Sequence, residues 1–281
     1  MAQVEIRGMR IVYERSGVGP PLVLLHGLVG NGRSTWQRQL ADLSDEFTVV
    51  AWDAPGAGRS ADPPAWFRMP DYADCLAEFV HALGLNHPHV AGLSFGGALA
   101  LELSRRWPRM PTSLTLAGAY AGWGGSLPPN VVKHRLSHSL QLSELPAAEF
   151  AAAVLPTLFS TSAPRKRVEA FAASVAKFHP NGFRAMALAS ADADLRDVLP
   201  RIDVPTLLLH AEADVRAQRF VAEALHASIP SSTLIVLSGI GHVSSVEAPE
   251  RFNEAIRPFL RKSQPRLPNR RRDIHARPMP T

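Results

Sequence analysis

Short runs of consecutive apolar residues recur along the first 120 positions, each followed by a longer stretch whose apolar residues return every three or four places. Pro21 to Leu25, Phe47 to Trp52, His89 to Leu93 and Ser113 to Leu116 are of the first kind. Runs without alternation fit strands covered on both faces, as in a parallel sheet. Between them, Ser34 to Leu43 carries Trp36, Leu40 and Leu43, and Asp71 to Leu83 carries Tyr72, Leu76, Phe79, Val80 and Leu83. That spacing lays the apolar residues along one helix face. A further helix is expected over Phe95 to Trp107. Val4 to Ile6 and Arg10 to Glu14, with Gly8 at the bend, predict a hairpin at one sheet edge. Strand and helix in repetition predict an α/β fold built on a mostly parallel sheet flanked by helices.

The rhythm stops after Ala117. From Gly122 to about Ala193 no strand-like run occurs, only Ala-rich stretches such as Ala147 to Leu155 and Val168 to Phe178, separated by Pro128, Pro156, Pro164 and Pro180. Helices with breakers between them are expected. Alternation resumes with a strand at Thr206 to His210, a helix at Gln218 to Ser228, a strand at Thr233 to Leu237 and a last helix at Pro249 to Leu260. This second block is too small to fold alone. The expected organisation is one core made of residues 1–121 and 194–262, interrupted by a helical insertion at 122–193. Residues 263–281 hold four prolines and an Arg triplet with almost nothing to bury, so a disordered basic tail is expected.

Composition changes this picture in two places. Of 281 residues, 46% are hydrophobic and 20% charged, which suits a chain with a buried core. The net charge of +5 suggests an anionic partner. Seven basic residues and one acidic residue lie from Arg261 onward, however, leaving 23 basic and 24 acidic groups and a net of −1 in the first 260. The basicity belongs to the C-terminal end, and no nucleic-acid partner is expected. Cys75 is the only cysteine, so no intramolecular disulfide can form. Met1 to Arg10 lacks the apolar stretch of a secretory signal, and the longest apolar run falls well short of the ~20 residues that span a bilayer. A cytoplasmic protein without a membrane span is expected.

The chemistry-bearing motif is Gly92-Leu93-Ser94-Phe95-Gly96, which sits between an apolar strand and a helix. A serine on so tight a turn projects its hydroxyl free of the backbone, and the glycines on either side remove side chains that would collide there. The bland alternative is a strand-to-helix turn with no chemistry. A serine hydroxyl needs a base, and the base needs an orienting acid. His242 follows the Thr233 to Leu237 strand, and Asp214 follows the Thr206 to His210 strand; both are strand C-terminal ends, where open α/β sheets keep their sites. Glu212 is an alternative acid, whereas Asp192, Asp194 and Asp197 fall at the opposite edge. His26-Gly27-Leu28-Val29-Gly30 follows another strand, so the backbone N–H groups of Leu28 and Phe95 are the candidates for an oxyanion hole, with His26 supporting the loop. His134 and His138, four apart, read as a solvated helix face rather than a metal site, and Arg165-Lys166-Arg167 as a solvated helix start. Gly56-Ala57-Gly58 lacks the third glycine of a dinucleotide fingerprint.

On these residues the chain resembles the α/β-hydrolase family. Asp53-Ala54-Pro55-Gly56-Ala57-Gly58-Arg59-Ser60 looks like that family's D-x-P-G-x-G-x-S turn, and Asp214 and His242 fall where the family keeps its acid and base. The resemblance covers about residues 3–260. It implies an eight-stranded sheet with strands three to eight parallel, and a helical cap at residues 122–193. Serine at position 94 disfavours the branches that use an aspartate nucleophile, Phe95 stands where haloperoxidase-type relatives often have Met, and the proline that many members carry after the acid is absent. The reading that follows is a serine hydrolase cleaving a carboxylic ester of a small, largely apolar molecule, with no cofactor required. A carbon-carbon bond hydrolase or an enol-lactone hydrolase would use the same triad, and a non-catalytic ligand receptor would use the same fold.

Overall fold

A computed structural model describes residues 1–264; the expectation of a disordered tail lies almost entirely outside them. The chain begins with β1 (Ala2–Ile6) and β2 (Met9–Ser16), then β3 (Pro21–Leu25), α1 (Gly32–Asp42), β4 (Thr48–Trp52), α2 (Met69–Ala82), β5 (His89–Leu93), α3 (Phe95–Arg106) and β6 (Ser113–Ala117). Five helices follow: α4 (Trp123–Ser126), α5 (Pro129–Leu142), α6 (Ala147–Val154), α7 (Arg165–Val175) and α8 (Pro180–Asp192). The core resumes with β7 (Thr206–Ala211), α9 (Arg219–Ser228), β8 (Ser232–Leu237), α10 (Ser244–Glu247) and α11 (Pro249–Lys262).

The eight strands form one sheet in the order β1-β2-β4-β3-β5-β6-β7-β8. β1 and β2 pair antiparallel, as do β2 and β4, and the remaining pairs are parallel. Burial follows position. Every residue of β4, β5, β6 and β7 is buried, whereas β1 and β8, at the edges, are largely exposed or half-buried. The unbroken apolar runs in the sequence are thus the strands covered on both faces.

Strand order reverses at β3. The step from β3 to β4 goes one way and the step from β4 to β5 the other, so right-handed crossovers put α1 and α2 on opposite faces. α1 accordingly packs with α11, Trp36 meeting Phe252 at 5.6 Å. α2 packs with α3, Tyr72 meeting Phe95 edge-on at 5.2 Å. α1 is started by a reciprocal cap, in which Ser34 N donates to Asn31 Oδ1 (2.8 Å) and Asn31 N to Ser34 Oγ (2.9 Å). The crevice at such a reversal, beyond the strand C-terminal ends, is where this architecture places ligands.

Among the described residues no helix is long and apolar enough to cross a membrane, and no cluster of three or more His, Cys, Asp or Glu side chains could hold a metal ion. His134 and His138 are exposed, their rings 6.5 Å apart. Arg167 is not merely solvated. It donates to the Glu247 carbonyl and to the Glu250 carboxylate, both at 2.8 Å, tying α7 to α10 and α11.

Candidate active site

Ser94 lies between β5 and α3 with φ 53° and ψ −111°, one of three non-glycine residues with positive φ among those described. Its N–H donates to the Ala117 carbonyl (2.8 Å), and its own carbonyl accepts from Gly97 N (2.9 Å) and Ala98 N (3.1 Å). These bonds hold a conformation that costs about 1–3 kcal/mol in a side-chain-bearing residue. The flanking glycines are required by contact. A Cβ on Gly92 would lie 2.2 Å from the Gly96 carbonyl oxygen, and one on Gly96 would lie 2.2 Å from that of Leu25. Backbone on both sides leaves no room to yield.

His242 follows β8 and Asp214 follows β7, and both are buried. Asp214 Oδ2 accepts from His242 Nδ1 at 2.6 Å. Since an ionised carboxylate only accepts, Nδ1 carries a proton, and Nε2 is the ring nitrogen that the carboxylate leaves unengaged. Asp214 Oδ1 accepts from Arg216 N (2.7 Å) and Ala217 N (2.9 Å). Burial alone would raise the Asp214 pKa, but the His242 charge and ring N–H, with these two N–H groups, hold the carboxyl below its ordinary value. Glu212 turns elsewhere, accepting from Gly239 N at 2.9 Å. Asp192, Asp194 and Asp197 pair with Arg68, Arg196 and Arg201 away from the histidine. Gly118 lets the acid and the ring approach, because a Cβ there would lie 3.1 Å from the imidazole and 3.2 Å from Asp214 Oδ2.

The loop after β3 is fixed through His26. Ala54 N donates to its Nε2 (3.0 Å), and its Nδ1 donates to the Gly27 carbonyl (2.7 Å). Burial lowers the His26 pKa, in keeping with the neutral ring these bonds require. The Asp53 turn is structural as well: Asp53 accepts from Gly32 N (2.9 Å) and Arg59 N (3.0 Å), and burial raises its pKa. Phe95 is the first residue of α3 and has no acceptor within the helix. Among the described residues, no loop or cap bond engages the N–H of Leu28 or Phe95.

Ser94 and His242 line one cavity with Gly27, Leu28, Val29, Leu93, Tyr120, Trp123, Arg135, Leu158, Arg216 and Val243. Its free space is about 20 Å³, room for roughly one water. The inserted helices supply Trp123 and Arg135, and the segment after α6 supplies Leu158. Glu247 ties the insertion to the histidine loop by accepting from Gly241 N (3.1 Å), Ser160 N (3.0 Å) and the Ser160 hydroxyl. Sequence reasoning missed Arg135, Arg216 and Glu247. Arg216 had a signal in its place two residues after Asp214; the other two depend on how the insertion packs.

Comparison with known proteins gives the family. A family model described as alpha/beta hydrolase fold matches residues 20–249. The 3-oxoadipate enol-lactonase 2 of Acinetobacter baylyi is 25% identical, the match covering 86% of this chain and 89% of that protein. The serine hydrolase BPHL of Homo sapiens is 27% identical over 92% of this chain and 86% of that protein. A solved thermophilic esterase from Thermogutta terrifontis, in a malate-bound form, superposes with a TM-score of 0.86 at 29% identity, covering 94% of this chain and 99% of that one. Esterase and lactonase relatives support hydrolase activity. The chain belongs to the alpha/beta hydrolase fold family.

Proposed function

We propose that this protein is a serine hydrolase that cleaves a carboxylic ester through an acyl-enzyme. The observation that carries the reading is the 2.6 Å bond from His242 to Asp214 at a cavity that also holds Ser94 on its left-handed turn. In this mechanism His242 Nε2 takes the Ser94 proton as the hydroxyl oxygen attacks the carbonyl. Asp214 holds the ring with Nδ1 protonated and stabilises the imidazolium that forms. The N–H groups of Leu28 and Phe95 receive the oxyanion, each contributing ~10²–10³ in kcat. His242 then protonates the leaving alcohol, and water, activated by the same ring, releases the acid. Each step is acid-base or nucleophilic, so the chemistry calls on no cofactor.

Residues 122–193 act as a cap over the site in this reading. Leu28, Val29, Trp123, Leu158 and Val243 give the substrate body apolar walls. The enol-lactonase relative supports lactone hydrolysis as a second reading, because a cyclic ester opens by the same steps. A panel of p-nitrophenyl esters, lactones and vinylogous diketones ranked by kcat/KM separates these classes, with simple esters expected to lead. Turnover that is unchanged in Ser94→Ala would overturn the mechanism.

A further inference from the structure

We propose that Arg135 and Arg216 form an anion subsite beside Ser94, so that the preferred substrate is an ester or lactone whose body carries a carboxylate. For turnover this rests on the serine-hydrolase reading; for binding it does not. Both guanidinium-bearing residues line the cavity that holds Ser94 and His242. They come from different parts of the chain, Arg135 from α5 of the insertion and Arg216 from the loop after β7.

Their side chains are fixed by neutral groups alone. Arg135 Nη1 donates to Tyr120 Oη (2.7 Å) and Nη2 to the Arg216 carbonyl (3.1 Å). Its guanidinium carbon lies 5.3 Å from the Tyr120 ring centre and 5.4 Å from that of Trp123. Arg216 Nη1 donates to Thr157 Oγ1 at 2.8 Å. The nearest acid in sequence, Asp214, is committed to His242 and to two backbone N–H groups. Among the described residues neither arginine has a carboxylate within ion-pair distance, whereas Arg33, Arg68, Arg106 and Arg257 all do.

Two held cations with no carboxylate in direct contact are unfavourable neighbours. Burial pushes the Arg216 guanidinium below its ordinary pKa, with the charge of Arg135 acting in the same direction against the opposing effects of Tyr120 and Asp214. An anionic group on the substrate supplies the missing charge. Each guanidinium presents five N–H donors in a planar fork that matches a carboxylate, and the side-chain bonds above use two of Arg135 and one of Arg216.

The test uses p-nitrophenyl hemiesters of succinic, glutaric and adipic acid, each against its methyl-capped neutral counterpart. For the best chain length the wild-type protein is expected to favour the anionic ester at least tenfold in kcat/KM. In Arg135→Met and in Arg216→Met that ratio falls at least tenfold, in Arg135→Lys it falls less, and 0.5 M NaCl lowers it in the wild type. Turnover of the neutral esters with no anionic preference at any length would overturn the subsite and leave the hydrolase reading standing. So would a variant that slows both esters equally, since that is the mark of a merely structural arginine. Calorimetric titration of the wild-type protein with glutarate needs neither turnover nor a variant. Binding without turnover of any ester would support the subsite and sink the hydrolase reading, and absence of both would sink the two together.

Discussion

A serine held at φ 53° and ψ −111° spends folding free energy on geometry, and the cost can be measured. Ser94→Gly and Ser94→Ala both remove the hydroxyl, but only glycine relaxes in the left-handed region. The Gly variant is expected to be more stable than the Ala variant by about 1–2 kcal/mol, read from urea midpoints at equal m. Equal stabilities would mean that the turn is unstrained. Asp214 permits a second test. Its carboxyl has a folded pKa below its unfolded one, so it contributes stability that is present above the unfolded pKa and lost as pH falls through the folded value. Asp214→Asn should therefore flatten the acid limb of the stability curve below about pH 4. It should also lower kcat by about 10³–10⁴-fold, because an amide can hold the imidazole in the wrong tautomer. Denaturation midpoints from pH 3 to 7, with kcat at neutral pH, check both.

At the scale of elements, most of the fold is legible in the sequence for a physical reason. β3 to β7 are nearly unbroken apolar runs because helices cover both faces, and α1 and α2 show the apolar spacing that one-sided burial demands. Ser94, Asp214 and His242 are found together because each stands just beyond the C-terminal end of a strand. The packing of the insertion is not legible in that way. Its helices are short and their positions depend on contacts distant in sequence, as with Gly56 against Gly182, where a Cβ on Gly182 would lie 2.0 Å from the Gly56 carbonyl oxygen. Nothing local marks Arg135 as a cavity residue, or Glu247 as the link between Ser160 and the histidine loop. Glu247 carries its own prediction. Glu247→Ala removes the carboxylate oxygen that accepts from Gly241 N and Ser160 N, which should cost about 1–3 kcal/mol. It should also lower kcat more than it changes KM, because the loop that loses its tie at Gly241 is the one that carries His242. A variant with altered stability and unchanged kcat would show that the tie serves folding alone.

For the whole molecule, the charge is distributed in a way that its total hides. The net of +5 comes from Arg261 onward, and Arg261 itself is paired with Glu46, whose pKa is held down to about 2, first by the hydrogen bond from Arg261. The body that carries the site is close to neutral, and Arg135 and Arg216 place positive charge at the cavity. The proposed subsite changes the expected substrate from a largely apolar molecule to an apolar body with an anionic end. The catalytic account depends on one serine acting as nucleophile, and active-site titration tests this most directly. The full-length protein is treated with a fluorophosphonate, and the adduct is counted by intact mass and located by peptide mapping as ester hydrolysis is followed. The account predicts one adduct per chain, on Ser94, formed in step with loss of activity and absent in Ser94→Ala. An adduct on another residue, or hydrolysis that survives full labelling of Ser94, would contradict it.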